Sequence, residues 1–156
     1  MNNLNLKNIV DELNISFFEA GKIAKEISLR GVKITIKPDN SPVTDGDIAV
    51  DKILTKKIQI LTPNIPVISE ETVNLKNKNS KEVFWLIDPI DGTRDYIKKR
   101  DEYTLNAALI INRKPVLGIV YAPAKDRLFY SYGKGLAFEI KNGKKTVLNC
   151  IKKNMN

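Results

Sequence analysis

Residues 84–96 read FWLIDPIDGTRDY, and this segment constrains how the rest of the chain can be arranged. Residues 83–87 form an apolar, β-branched and aromatic run with the length of a buried strand. Pro89 has no amide hydrogen, so we expect the strand to end at Asp88-Pro89. Gly92 frees the backbone and Thr93 offers a capping hydroxyl, which predicts a turn and a helix start directly after the strand.

The polar groups of this segment suit a cation and an anion. Carboxylate oxygens of Asp88 and Asp91 are ligands that magnesium prefers, and the amides of Gly92 and Thr93 at a helix start favour a phosphate. The alternative is a plain strand followed by a capped turn, because short motifs of this kind also occur without a function. The segment alone leaves both interpretations open.

Composition predicts a globular protein. The chain has 156 residues, of which 42% are hydrophobic and 28% are charged, typical of one domain with a real core. We assign residues 1–149 to that domain and residues 150–156 to a frayed tail. No window approaches the roughly eighteen apolar residues of a membrane span, and residues 1–4 lack the features of a signal peptide. A cytoplasmic location is the expectation.

The residue types limit the chemistry. The sequence contains one cysteine and no histidine, which excludes disulfide frameworks, thiolate zinc clusters and imidazole bases. Carboxylates, hydroxyls, lysines or a bound metal must then carry any reaction. The net charge of +8 favours anionic partners. The lysines are scattered and no aromatic-rich signature accompanies them, so we expect no dedicated nucleic-acid binding.

The first half of the chain predicts two helices. Apolar residues recur every three or four positions from Leu6 to Ile27, and residues 32–36 alternate as in a half-buried strand. Thr44 and Asp47 have the spacing of a capping box, which starts a second helix that runs to Leu61. Asp47 could serve that cap alone, and this alternative stays open.

The remaining segments predict a sheet. Residues 65–68 form a short buried-strand candidate that is followed by Ser69, Glu70 and Glu71. The two glutamates either lie in a solvated loop or serve as metal ligands. Residues 74–81 are polar and predict a loop. Short runs separated by turn residues predict an antiparallel meander over residues 104–111, 116–121, 127–131, 136–140 and 145–148. The expected fold class is α+β, with two long helices packed on a mostly antiparallel sheet.

Four segments in this order carry a resemblance to a known family. Residues 39–47, 67–71, 85–98 and 115–123 resemble the inositol-monophosphatase-like phosphatases, and the branch they are most similar to is that of the CysQ-type 3'(2'),5'-bisphosphate nucleotidases. The resemblance implies a magnesium-dependent phosphomonoester hydrolase that converts 3'-phosphoadenosine 5'-phosphate to AMP and phosphate. Hydrolysis of inositol monophosphate is the alternative on the same metal chemistry.

The resemblance also implies site residues. Glu70, Asp88 and the carbonyl of Ile90 would hold a first magnesium ion, and Asp88 and Asp91 a second, in a site of two or three ions. Thr93, oriented by Asp47, would help activate the attacking water, with Glu70 also in the catalytic set. The substrate phosphate would lie on Asp91, Gly92 and Thr93.

Other charged residues near these segments are less directly implied. Glu71 adjoins Glu70, and only one of two adjacent acids readily faces the same ion. Lys37 and residues 98–100 could hold a second phosphate. We favour the interpretation that these cations lie on a solvated surface, because runs of charged residues usually do.

The resemblance covers only part of the family pattern. Family members continue into a second α/β portion with a Trp-Asp segment, whose aspartate is the remaining ligand of the second metal, and nothing after Thr146 resembles it. The chain therefore resembles the amino-terminal half of such an enzyme, with impaired activity, or a non-catalytic remnant that still binds metal. Self-association, or a separate chain that supplies the missing half, follows as an expectation. The resemblance also implies peripheral attachment to the cytoplasmic face of the inner membrane as an alternative location, because some family members are attached there.

Overall fold

The computed structural model describes residues 4–71 and 82–149. Helix α1 (Leu6–Arg30) and helix α2 (Asp45–Leu61) pack on each other and on one face of a sheet. Most residues of their apolar stripes are buried, including Phe17 of α1 and Leu54 of α2, whereas Leu6, Ile53 and Leu61 are partly buried. Both predicted helices are confirmed, and α1 extends one turn beyond its predicted end. The predicted loop at 74–81 and the predicted tail at 150–156 lie outside the described residues.

Seven strands form the main sheet in the order of the sequence. All neighbours are antiparallel except the first pair, which is parallel. The predicted meander and the α+β class are thus confirmed. A second sheet has two strands, and the segment after the fourth strand forms helix α3 (Thr93–Ile97). The strands are β1 (Ile34–Ile36), β2 (Pro42–Thr44), β3 (Val67–Ser69), β4 (Val83–Asp91), β5 (Thr104–Ile111), β6 (Lys114–Ala122), β7 (Arg127–Tyr132), β8 (Ala137–Lys141) and β9 (Lys144–Val147).

The helices cover only one face of the main sheet. Successive side chains of a strand point to opposite faces. In β4, Trp85 and Ile87 are buried against the helices, whereas Leu86 between them is 47% exposed. In β6, Ile119 is buried and Val120 is 44% exposed. The face opposite the helices is therefore uncovered among the described residues.

The strand predicted at residues 32–36 is observed as β1, but the expectation that it is half-buried was wrong. Strand β1 pairs only with β2, a strand that the sequence did not predict, in an antiparallel hairpin separate from the main sheet. Ile34 and Ile36 are 49% and 61% exposed. Alternation shows that a strand has two different faces, but it cannot show whether another element covers either of them.

The expected end of the central strand at Asp88-Pro89 was also wrong, because β4 continues to Asp91. The pairing with β5 shifts register between Asp88 and Asp91. Pro89 lies inside that irregularity, where its missing amide hydrogen costs no ladder bond. On the other side, the parallel ladder with β3 ends at the pair Ser69 and Ile87. The predicted buried strand at 65–68 is observed as β3, which is only half-buried at Val67 and Ile68 because it is an edge strand.

Candidate active site

The amino-terminal end of α2 fixes Asp47. Thr44 is the N-cap, and its hydroxyl accepts from the amides of Gly46 and Asp47. Asp47 Oδ2 in turn accepts from Thr44 N at 2.8 Å and from Thr44 Oγ1 at 2.6 Å. The predicted capping box is thus confirmed. Asp47 is 1% exposed, and burial raises the pKa of its carboxyl although the hydrogen bonds from Thr44 oppose that rise.

The second oxygen of Asp47 faces Thr93 at the start of α3. Thr93 Oγ1 lies 3.5 Å from Asp47 Oδ1 and donates to the carbonyl of Ile90 at 3.0 Å. The structure therefore brings Asp47 and Thr93 together, but the shorter bond directs the hydroxyl proton to Ile90. The expected capping role of Thr93 was wrong, because Gly92 occupies the N-cap and Thr93 is the first helical residue.

Gly92 makes the turn from β4 into α3. Its φ is +91°, in the left-handed region, and a Cβ there would lie 2.7 Å from the carbonyl oxygen of Glu102. Both the backbone conformation and the close approach require glycine. The helix start predicted at residues 92–93 is confirmed.

The parallel pair of strands places Glu70 beside Asp88. Glu70 directly follows β3, and its amide donates to the carbonyl of Ile87 at 3.0 Å, so Glu70 and Asp88 lie side by side where the parallel ladder of β3 and β4 ends. Asp88 lies on the uncovered face, and within residues 4–71 and 82–149 its buried Oδ1 has no hydrogen-bond partner. Burial, the charges of Glu70 and Asp91 and a hydrogen bond to Glu70 raise the pKa of Asp88 to about 7.

These donors fit a magnesium ion in chemical type. A buried carboxylate oxygen without a partner, crowded by other carboxylates, gains most from a divalent cation, and oxygen is the donor that magnesium prefers. In the part of the chain that the structure describes, however, no three acidic side chains are already arranged to hold one ion. The ligand roles of Glu70, Asp88, Ile90 and Asp91 therefore stay predictions. The side chain of Glu70 is 54% exposed and has room to move.

Lys37 belongs to the site, which corrects the expectation of a solvated surface there. Its ammonium lies 2.9 Å from Glu71 Oε2 and 3.7 Å from Glu70 Oε1. The side chains of Lys37 and Glu71 are only 20% and 10% exposed. Glu71 is thus engaged with Lys37. Residues 98–100 are exposed, as expected.

Replacing Lys37 with methionine should lower the free energy of unfolding by about 1–2 kcal/mol, because the largely buried carboxylate of Glu71 would lose its counter-ion. Urea unfolding measures this change. Lys7→Met is the matched control, since Lys7 makes an equally short but exposed ion pair with Asp11 and should contribute about 0–1 kcal/mol. Equal effects of the two substitutions would show that the pair of Lys37 and Glu71 behaves as a solvated one.

A surface cavity of about 210 Å³ adjoins the motif and was not found from the sequence. Antiparallel pairing of Asp91 with Thr104 brings the residues before β5 beside those that end β4. The sequence held one signal for this cavity. If the strand at residues 104–111 pairs antiparallel with residues 83–91, the loop that precedes it lies beside the end of that strand. The lining residues are Asp91, Gly92, Asp101, Glu102, Tyr103, Thr104, Ala122 and Lys125.

Comparisons with known proteins bear on the family and the fold of this chain. The model of the family described as the inositol monophosphatase family matches residues 9–152. The 3'(2'),5'-bisphosphate nucleotidase CysQ of Buchnera aphidicola is 38% identical over 123 residues, which are 78% of this chain and 46% of that protein. An IMPase of Thermotoga maritima superposes with a TM-score of 0.74 at 22% identity, covering 88% of this chain and 52% of that one.

A structure of CysQ from Bacteroides thetaiotaomicron is also similar, with a TM-score of 0.62 at 24% identity, over 97% of this chain and 54% of that one. At these identities the two structures support the fold alone. The chain spans about half the length of the relatives that it matches.

Proposed function

Because this chain belongs to the inositol monophosphatase family, we propose that it carries the metal-binding part of a magnesium-dependent phosphomonoester hydrolase. The proposed type is a 3'(2'),5'-bisphosphate nucleotidase, which converts 3'-phosphoadenosine 5'-phosphate to AMP and phosphate. The observation that carries the proposal is Asp88, whose buried oxygen has no partner among the described residues and whose carboxyl is crowded by Glu70 and Asp91. A relative with that printed name supports the substrate class.

In this proposal each cation site is formed by a different set of oxygen ligands. Glu70 and Asp88, with the carbonyl of Ile90, hold one ion, and Asp88 and Asp91 share another, in a set of two or three. Bound magnesium lowers the pKa of a coordinated water and offsets the charge of the phosphate. The substrate phosphate lies against Asp91 and the amides of Gly92 and Thr93.

Asp47 and Thr93 are proposed to position the attacking water. The capping box fixes Asp47 by two hydrogen bonds to its Oδ2, which leaves Oδ1 directed at the Thr93 hydroxyl. A shift of that hydroxyl from the Ile90 carbonyl to Asp47 would free the carbonyl for the cation. Thr93 Oγ1 could then accept a proton from water as it donates its own to Asp47, and such positioning contributes much of the rate in phosphoryl transfer.

The length of the chain bears on how much activity to expect. The matched segment is 46% of the Buchnera relative, so residues from elsewhere must complete a site of full family type. We propose that the described residues alone turn substrate over weakly. The second candidate is a non-catalytic protein that still binds magnesium, favoured by the match to only 46% of the Buchnera relative.

Phosphate release separates these candidates. We expect measurable, magnesium-dependent release from 3'-phosphoadenosine 5'-phosphate and less from inositol monophosphate. The reverse preference would favour the inositol phosphatase. Negligible release from both substrates would remove the enzyme proposal for this chain, and stabilisation by magnesium without turnover would then support the non-catalytic candidate.

The raised pKa of Asp88 predicts how magnesium binding depends on pH. Below a pKa of about 7, the proton on Asp88 competes with the cation, so apparent affinity should fall by at most about tenfold per pH unit. Without metal the folded state holds this proton more tightly than the unfolded state, so stability should fall as pH rises from about 4 to about 7. Melting temperatures with and without millimolar magnesium, at about pH 6 and about pH 8, measure both trends. A magnesium effect equal at both pH values would contradict the assignment.

A cytoplasmic location completes the proposal, with peripheral attachment to the cytoplasmic face of the inner membrane as the alternative. Within residues 4–71 and 82–149, none of the helices has both the length and the apolar character needed to cross a bilayer. This finding agrees with either location.

A further inference from the structure

Helix α3 presents Thr93 but is too short to hold its own position. It spans only Thr93–Ile97, and isolated helices shorter than about 12 residues are marginal in water. Contacts with other elements must therefore fix where the Thr93 hydroxyl lies. Within α3, which the structure describes completely, Tyr96 is the only fully buried residue. Thr93 and Tyr96 are three positions apart, so they are neighbours on the helix surface.

Tyr96 joins α3 to both long helices. Its hydroxyl donates to the carbonyl of Ala24, inside α1, at 2.6 Å. Its ring lies directly against Gly46 in the first turn of α2, where an added Cβ would come within 2.5 Å of the phenol oxygen. Gly46 directly precedes Asp47 in the chain. One side chain of the helix that presents Thr93 therefore contacts the segment that presents Asp47.

The hydroxyl distinguishes Tyr96 from an ordinary core aromatic residue. Tyr103 packs edge-on against the ring, with the centroids 4.9 Å apart, and a phenylalanine could keep that contact and the one with Gly46. It could not keep the hydrogen bond to α1. Burial raises the pKa of Tyr96 above its ordinary range, and Tyr103 and the charge of Asp47 act in the same direction. The phenol therefore stays a proton donor at neutral pH.

We propose that Tyr96 is a positioning residue for the pair of Asp47 and Thr93. The hydrogen bond to Ala24 fixes α3 against the start of α2, and this sets the separation of 3.5 Å between Thr93 Oγ1 and Asp47 Oδ1. The inference rests on the proposed function, in which the Thr93 hydroxyl accepts a proton from water as it donates its own to Asp47. Without the bond, α3 can shift over Gly46, and the Thr93 hydroxyl spends less time within reach of Asp47.

Tyr96→Phe tests this proposal, because it removes the hydroxyl and keeps the ring. Tyr121→Phe is the chemically matched control. Tyr121 is also buried and its hydroxyl also has a partner, Asp126, but its ring packs on Gly21 of α1. Ile9→Val is the control for stability, since shortening this buried side chain near the start of α1 should cost about as much stability as one lost hydrogen bond.

Hydrogen exchange measures the position of α3 without substrate or magnesium. The amides of Asp95 and Tyr96 donate to the carbonyl of Gly92 at 2.9 and 3.0 Å. In Tyr96→Phe we expect them to exchange at least about tenfold faster, and to accelerate more than the amides of β5, because α3 opens locally. In both controls residues 95 and 96 should accelerate no more than β5 does. Acceleration in Tyr96→Phe that is no greater at residues 95 and 96 than in β5 would overturn the proposal.

Steady-state kinetics separate positioning from a loss of stability. For 3'-phosphoadenosine 5'-phosphate, Tyr96→Phe should lower kcat about fivefold to twentyfold and change KM by less than about twofold, since positioning acts on the chemical step. Tyr121→Phe and Ile9→Val should leave kcat within about twofold of the wild type. An equal fall of kcat in either control, or an unchanged kcat in Tyr96→Phe, would contradict the positioning role. If the wild type releases no phosphate, the proposed function fails, and the exchange measurement alone decides whether Tyr96 fixes α3.

Discussion

Replacing Asp88 with asparagine should abolish the rise in melting temperature that millimolar magnesium produces. The variant keeps the shape of the side chain but removes the charge that a cation needs. If the wild-type protein is studied at about one hundred times its dissociation constant for magnesium, the lost stabilisation amounts to about 2.7 kcal/mol. Without metal, the variant should be at least as stable as the wild type at about pH 8, because asparagine relieves the crowding among Asp88, Glu70 and Asp91.

Asp11→Asn is the control for this experiment. Asp11 is an exposed acid on α1 that pairs with Lys7, so the same chemical change there should leave the magnesium effect intact. Phosphate release from 3'-phosphoadenosine 5'-phosphate gives a second readout and should disappear in Asp88→Asn. A variant that retained the full magnesium shift would remove Asp88 from the metal site and with it the main support for the proposed function.

The local patterns of the sequence predicted most of the fold. The meander could be predicted because its turn residues need particular backbone conformations, as at Asn112 and Arg113 and at Asn142 and Gly143, all of which have positive φ. The capping box at Thr44 and Asp47 could be predicted because both partners lie within one helical turn. Features that depend on neighbours in sequence are accessible in this way.

Features that depend on distant neighbours were not accessible. Pro89 can lie within β4 because the ladder with β3 ends before it and the register with β5 shifts around it. Residues 84–96 alone contain no signal for either feature. Lys37 is neutralised by Glu71, a residue 34 positions away, so its local sequence gave only the pattern of a surface lysine. For the candidate site, the resemblance supplied the residues and implied the pairings of Glu70 with Asp88 and of Asp47 with Thr93, while the structure supplied the contacts that place them.

Trp85→Ala should be strongly destabilising, lowering the free energy of unfolding by about 3–5 kcal/mol. Trp85 has no exposed surface, and it packs in the core between the sheet and the helices. Its indole Nε1 donates to Thr62 Oγ1 at 3.0 Å, and that hydroxyl donates to the carbonyl of Ile58 at 2.9 Å. The substitution leaves a large cavity and a buried hydroxyl without its donor. Against a typical total of about 5–15 kcal/mol, this loss is large.

Leu86→Ala is the matched control, since it lies one residue further along the same strand and points to the opposite face. Because 47% of Leu86 is exposed, we expect a loss of only about 1 kcal/mol in the chain alone. Urea unfolding followed by circular dichroism measures both variants, because Trp85 is the only tryptophan and its removal eliminates the fluorescence signal. Equal losses would mean that the face of the sheet opposite the helices is already covered in solution.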